Sequence, residues 1–94
     1  MSEKASLSAV VRGRVQGVYF RAFVRNHAEA LGLTGYVRNL HGGSAIEVRA
    51  EGEKIKLDEL LKHLNVGPPR ARVDRVEMEW SEYTGRFTDF ELRY

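Results

Sequence analysis

Residues 13–21 read Gly13-Arg14-Val15-Gln16-Gly17-Val18-Tyr19-Phe20-Arg21, a glycine-bracketed turn between a strand-like run and a helix-like run. Before and into it, Leu7 to Arg14 is short, apolar and β-branched at its centre, the pattern of a mostly buried strand. After it the period changes. Phe20, Phe23, Val24, His27, Ala28 and Leu31 recur at spacings of three and four and line one side of a helix, with Arg25, Asn26 and Glu29 on the other. Gly32 is placed to stop that helix. A tight turn that opens a helix points several backbone N–H groups outward together, and the helix dipole adds partial positive charge, so the stretch forms a cradle for an anion. Arg21 adds a full charge and a planar fork of donors that matches phosphate oxygens.

Outward from the cradle, Thr34 to Leu40 reads as a second strand with Gly35 at its head, and His41-Gly42-Gly43 as a turn. Ala45 to Glu51 alternates as a third strand, Ile46, Val48 and Ala50 facing one way and Glu47, Arg49 and Glu51 the other, which predicts one wet sheet face. Leu57, Leu60, Leu61 and Leu64 mark a second helix that ends near Val66, because Gly67-Pro68-Pro69 cannot continue it. A fourth strand is expected at Val73 to Tyr83 and a last one at Phe87 to Tyr94, with Thr84-Gly85-Arg86 as the turn between them. This order predicts one α+β domain of ferredoxin-like type: strand-helix-strand-strand-helix-strand with a short C-terminal strand, and two helices on one face of an antiparallel sheet. Residues 1–6 are polar and read as a flexible tail. A crossover helix joins strands of the same direction, so strands one and two end at the same edge with strand three between them. At ~4.8 Å per strand, those two ends lie only ~10 Å apart.

The end of strand two reads Gly35-Tyr36-Val37-Arg38-Asn39. This motif and the stretch at 13–21, in that order and spacing, resemble the acylphosphatase family, and the resemblance covers nearly the whole chain. It implies hydrolysis of the mixed anhydride between a carboxylic acid and phosphate, with no metal and no cofactor. By position it implies that Arg21 binds the phosphoryl group and Asn39 orients the attacking water. The backbone of Val15, Gln16, Gly17, Val18, Tyr19 and Phe20 would complete the phosphate-binding loop. The chemistry agrees independently. A carboxylate leaving group, whose acid has a pKa of about 4, departs without a general acid. What remains is to bind the phosphoryl group, stabilise its charge and hold one water. An arginine, a set of backbone N–H groups and an amide suffice.

Each residue also has a plainer role open to it. Arg21 is also consistent with an exposed first-turn arginine, although a cation there opposes the helix dipole. Asn39 suits a turn preceding Gly42-Gly43 as well as it suits a water site. His27, His41 and His63 stand apart from clustered carboxylates, so they do not suggest a metal site, and His41 is only a remote candidate for a base.

Composition bounds the rest. Ninety-four residues make one small domain, and with no cysteine a reducing, cytoplasmic setting is expected. No apolar run approaches the ~20 residues of a membrane span. Net charge is +2, from 15 Lys plus Arg against 13 Asp plus Glu; that allows an anionic ligand without requiring nucleic acid, and the resemblance implies that the ligands are a small acyl phosphate substrate and inorganic phosphate. A monomer is expected. Two other functions fit the pattern less well. One is a binding domain for acyl or carbamoyl phosphate with little turnover. The other is a ferredoxin-like RNA-binding module, against which stands the lack of aromatic residues in strands one and three.

Overall fold

The computed structural model describes residues 3–94. Its elements are β1 (Lys4–Arg14), α1 (Phe20–Ala30), β2 (Thr34–Asn39), β3 (Ala45–Glu53), α2 (Lys54–Val66), β4 (Arg72–Ser81) and β5 (Phe90–Arg93). One sheet runs β4-β1-β3-β2-β5. β1 and β2 both pair antiparallel to β3, which lies between them, so their ends share an edge as the crossover rule requires. This is the expected α+β ferredoxin-like sandwich.

Alternation decides which face the helices cover. Leu7, Ala9 and Val11 of β1 lie opposite Ala50, Val48 and Ile46 of β3, and all six are at most 2% exposed. Phe20, Val24 and Ala28 of α1 and Leu57, Leu60 and Leu64 of α2 close over them. Burying each large apolar side chain contributes about 1.5–3 kcal/mol. The other face is open and charged. There Arg38 pairs with Glu47, and Arg12 and Arg75 both pair with Glu77.

Gly13, one residue before the end of β1, takes a conformation that only glycine allows. Register against β4 shifts between Arg12 and Gly13, φ at Gly13 is 138°, and a Cβ there would sit 2.1 Å from the Arg72 carbonyl oxygen. The bulge turns the chain out of the sheet and into the segment that leads to α1.

Several expectations need correction. Residues 4–6 are not tail: β1 begins at Lys4, paired with Glu53, and the Lys54 N–H donates to the Glu3 carbonyl. The remainder of that expectation, at Met1 and Ser2, falls outside the described residues. β4 is bounded at Arg72–Ser81 and β5 starts at Phe90 rather than Phe87. β5 also pairs parallel to β2, which makes the sheet mixed. Residues 82–89 therefore cross from one edge of the sheet to the other. The two helix histidines are not isolated, because His27 of α1 stacks on His63 of α2 at 3.7 Å between ring centroids and 21° between planes. Burial, and then repulsion from His63, hold His27 below the ordinary histidine range. Helix-to-helix packing of this kind leaves no mark in either helix's own periodicity.

Glu51 is the sharpest exception. Alternation places it on the wet face, yet it is 1% exposed. The crossing segment covers it: Thr84 N–H and Oγ1–H and Gly85 N–H donate to its carboxylate at 2.8–3.1 Å, and the Ser6 hydroxyl is a further partner. Burial disfavours the charge, but the hydrogen bonds from Thr84, Gly85 and Ser6 outweigh it and the carboxyl titrates below its ordinary value. Such a group adds stability above about pH 4.3, which is lost as pH falls through its lower folded value. Glu51→Gln is expected to lose about 1–3 kcal/mol at pH 7, since donors that faced an anion then face an amide. Denaturant unfolding at pH 7 and pH 3 checks it: the gap between variant and parent should narrow at the lower pH.

Candidate active site

β1 leaves the sheet at Arg14 and α1 begins at Phe20, and the segment between is pinned at intervals to the core. Val15 and Phe20 are 1% exposed and Val18 is also buried, so the intervening backbone is held rigidly against the end of the sheet. Gly17 has φ 71° with nothing within 4 Å of a built Cβ; its backbone conformation, rather than space, calls for glycine. Tyr19 has φ 69° and is the only non-glycine residue at positive φ among the described residues. A left-handed tyrosine costs on the order of 1 kcal/mol, a strain that other contacts must hold in place. It sits at the N-cap, where its carbonyl accepts from Phe23 N–H at 3.0 Å. No side chain caps this helix and its first turn holds no acidic residue. The leading N–H groups and the positive end of the dipole are thus left to a ligand.

Arg21 lies in that first turn. Its Nη1 donates to the Arg93 carbonyl at 3.0 Å, and its guanidinium lies 4.5 Å from the Tyr94 ring centroid. Both anchors are uncharged. Among the described residues Arg21 stands in no ion pair, so its charge is not neutralised within the fold. Asn39 is exposed and closes β2 opposite Ile46 of β3.

The two ends meet. An open pocket of about 330 Å³ is lined by Val15, Gly17, Tyr19, Phe20, Arg21 and Ala22 from the turn and α1, by Asn39 from β2, and by Leu92 from β5. Of the expected loop, the side chains of Gln16 and Val18 lie elsewhere. Val18 packs into the core, and Gln16 Nε2 donates to the Leu40 and Ala45 carbonyls. His41 is exposed in the β2–β3 turn and does not line the pocket. Among the described residues no group of three or more His, Cys, Asp or Glu is placed to hold a metal ion. Among the described residues no helix is long and apolar enough to cross a membrane.

The acylphosphatase family model matches residues 7–92. The chain belongs to the acylphosphatase family. An acylphosphatase of Dehalococcoides mccartyi is 53% identical over 88 residues, covering 94% of this chain and 97% of that one. Among solved structures, an acylphosphatase from Coxiella burnetii superposes with a TM-score of 0.89 at 39% identity, over 96% of this chain and 93% of the other. That from Bacillus subtilis gives 0.91 at 31% identity, over 96% and 99%. As an acylphosphatase the chain is an enzyme, and the hydrolysis of acyl phosphates fits this family, as does phosphate binding.

Three groups at this edge escape sequence reasoning: Leu92, which lines the pocket, and the Arg93 carbonyl and Tyr94 ring, which anchor Arg21. All belong to or follow β5, which runs parallel to β2 and so ends at the same edge. A backbone carbonyl carries no sequence signal at all. Tyr94 is 98% exposed, so Tyr94→Ala removes little packing. A cation–π contact at an exposed site is worth about 0.5–1 kcal/mol. Tyr94→Ala is expected to weaken competitive inhibition by inorganic phosphate about two- to fivefold while leaving the thermal midpoint in place, read by initial rates and a melting scan.

Proposed function

We propose that this chain hydrolyses acyl phosphates to carboxylate and inorganic phosphate by in-line attack of a single water, with Arg21 binding the phosphoryl group and Asn39 holding the water. The observation that carries the proposal is that Arg21, Asn39 and the backbone of the glycine-bracketed turn line one pocket. The substrate's phosphoryl oxygens enter the positive end of α1, where they meet the backbone N–H groups of the 15–20 turn and the guanidinium of Arg21. Charge that spreads over those oxygens in the transition state meets donors already in position.

Asn39 is a poor base, but its amide oxygen accepts a hydrogen bond from water and directs a lone pair at phosphorus. The new bond forms between the water oxygen and phosphorus, and the bond from phosphorus to the acyl oxygen breaks. The carboxylate leaves with the bonding pair and needs no proton. The water's proton passes to a phosphate oxygen of the substrate, so the step needs neither a protein base nor a metal ion. The exposed, off-pocket position of His41 agrees with this economy. A reducing, cytoplasmic setting is part of the same proposal, on the ground that the chain contains no cysteine.

Phosphate release from acetyl phosphate and benzoyl phosphate in the presence of a chelator tests the reaction, and turnover is expected to be undiminished by chelation. Arg21→Ala should raise the inhibition constant of inorganic phosphate and lower kcat/KM by about 10²–10³-fold, the usual cost of losing one preorganised donor to developing charge. Asn39→Ala should bind inorganic phosphate as the parent does and lose kcat by about 10²-fold. Parent-like turnover in Asn39→Ala would remove the water-holding role.

A further inference from the structure

Gln16 stands in the cradle, yet its side chain turns away from the pocket. Its Nε2 donates to two carbonyl oxygens at once, those of Leu40 and Ala45, each at 2.8 Å. A primary amide has two N–H donors, and here both are engaged by the turn between β2 and β3. Those carbonyls flank that turn: Leu40 follows Asn39 directly and Ala45 opens β3.

Little else fixes the turn. The β2–β3 ladder stops at Asn39 opposite Ile46, and residues 41–44 are all exposed. Gly42 and Gly43 sit at positive φ with open space around them. The other restraints are backbone hydrogen bonds, from Leu40 N–H to the Ala45 carbonyl at 3.0 Å and from Gly13 N–H to the Ser44 carbonyl at 2.9 Å. Gln16 therefore supplies the side-chain tie between the segment that holds the phosphoryl group and the residue that ends β2.

We propose that Gln16 is a positioning residue for the attack step: by tying the Leu40 and Ala45 carbonyls to the cradle, it sets the placement of the Asn39 amide relative to the bound phosphorus. The proposal rests on the water-holding role of Asn39. Gln16 acts through Asn39 and not on the substrate, since its donors are already committed to protein carbonyls. Loss of the tie is expected to leave the phosphate cradle standing, because Val15, Val18 and Phe20 hold it to the core, and to loosen only the aim of the water.

A double-mutant cycle on kcat tests it. Gln16→Met keeps length and shape but has no donor. It is expected to lower kcat for acetyl phosphate about tenfold, short of the ~10²-fold that a full ångström of misplacement costs. The inhibition constant of inorganic phosphate should stay within about twofold of the parent. In an Asn39→Ala background the same replacement should change kcat by less than about twofold. A second variant gives a signature that general loosening would not. Gln16→Glu places a carboxylate against two carbonyl oxygens, and its kcat relative to the parent should recover as pH falls through the carboxyl's titration, where the neutral acid donates again.

A full tenfold loss persisting in the Asn39→Ala background overturns the proposal, as does loss of phosphate affinity in step with kcat, or a Gln16→Glu ratio that is flat with pH. Parent-like turnover of Asn39→Ala alone is a different failure. It sinks the water-holding role itself, and is visible before Gln16 is changed.

Discussion

The antiparallel pairing of β1 with β3 at the centre of the sheet is the constraint on which the other elements depend. Leu7, Ala9 and Val11 face Ala50, Val48 and Ile46 across it, and a slip of one residue would turn every one of these side chains out of the core. With that register fixed, α1 and α2 have one apolar face to cover. The direction of β2 follows from the crossover, and the ends of β1 and β2 arrive at one edge with a single strand between them. A phosphoryl group held at the first end is then within reach of a side chain at the second. Function at this edge is a result of strand order before it is a result of any particular residue.

Local energetics at that edge run against the fold and in favour of the ligand. A guanidinium at the positive end of a helix is repelled by the dipole, a left-handed tyrosine is strained, and helix N–H groups without a capping side chain are under-satisfied. All three occur within residues 19–22. The left-handed tyrosine costs about 1–2 kcal/mol and the dipole repulsion about 0.3–1 kcal/mol, small beside the burial of Val15, Val18 and Phe20 that pins the segment. An anion relieves two of the three together, since it neutralises the arginine and accepts from the free N–H groups. On the proposed reading the phosphoryl group meets donors already in place, and preorganisation of this kind is what a reaction with a self-sufficient leaving group needs.

Much of this was legible in the sequence because it depends on local pattern. The change from period two to period 3.6 across Gly13 to Arg21 marked β1, the turn and α1, and the clean alternation of Ala45 to Glu51 marked β3. Arg21 was marked by the glycine-bracketed turn and Asn39 by the family resemblance of its motif, and one topological rule placed the two at the same edge. What was not legible came from segments that meet only after folding. Glu51 reads as a surface residue until residues 82–89 pass over it, and nothing in its own strand announces that crossing. His27 and His63 read as separate residues on two helices until the helices pack. Gln16 reads only as backbone of the cradle, and only the fold of the β2–β3 turn shows where its side-chain amide goes. β5 was expected to join an antiparallel sheet, yet it pairs parallel to β2, because the chain crosses to the opposite edge of the sheet instead of returning beside β4.

The anchor of Arg21 on the Arg93 carbonyl has a consequence for how this site tolerates change. Every residue type has that oxygen, so no single replacement at position 93 removes the acceptor; the Arg93 side chain is occupied on the open face, with Glu91 and the Tyr36 ring. What moves the oxygen is a change in how many residues lie between the Glu51 clip at Thr84 and Gly85 and the end of β5. The acceptor that orients the guanidinium is therefore robust to side-chain replacement at position 93 and sensitive to insertion or deletion within residues 86–92, a stretch whose length is constrained as well as its core contact at Phe90.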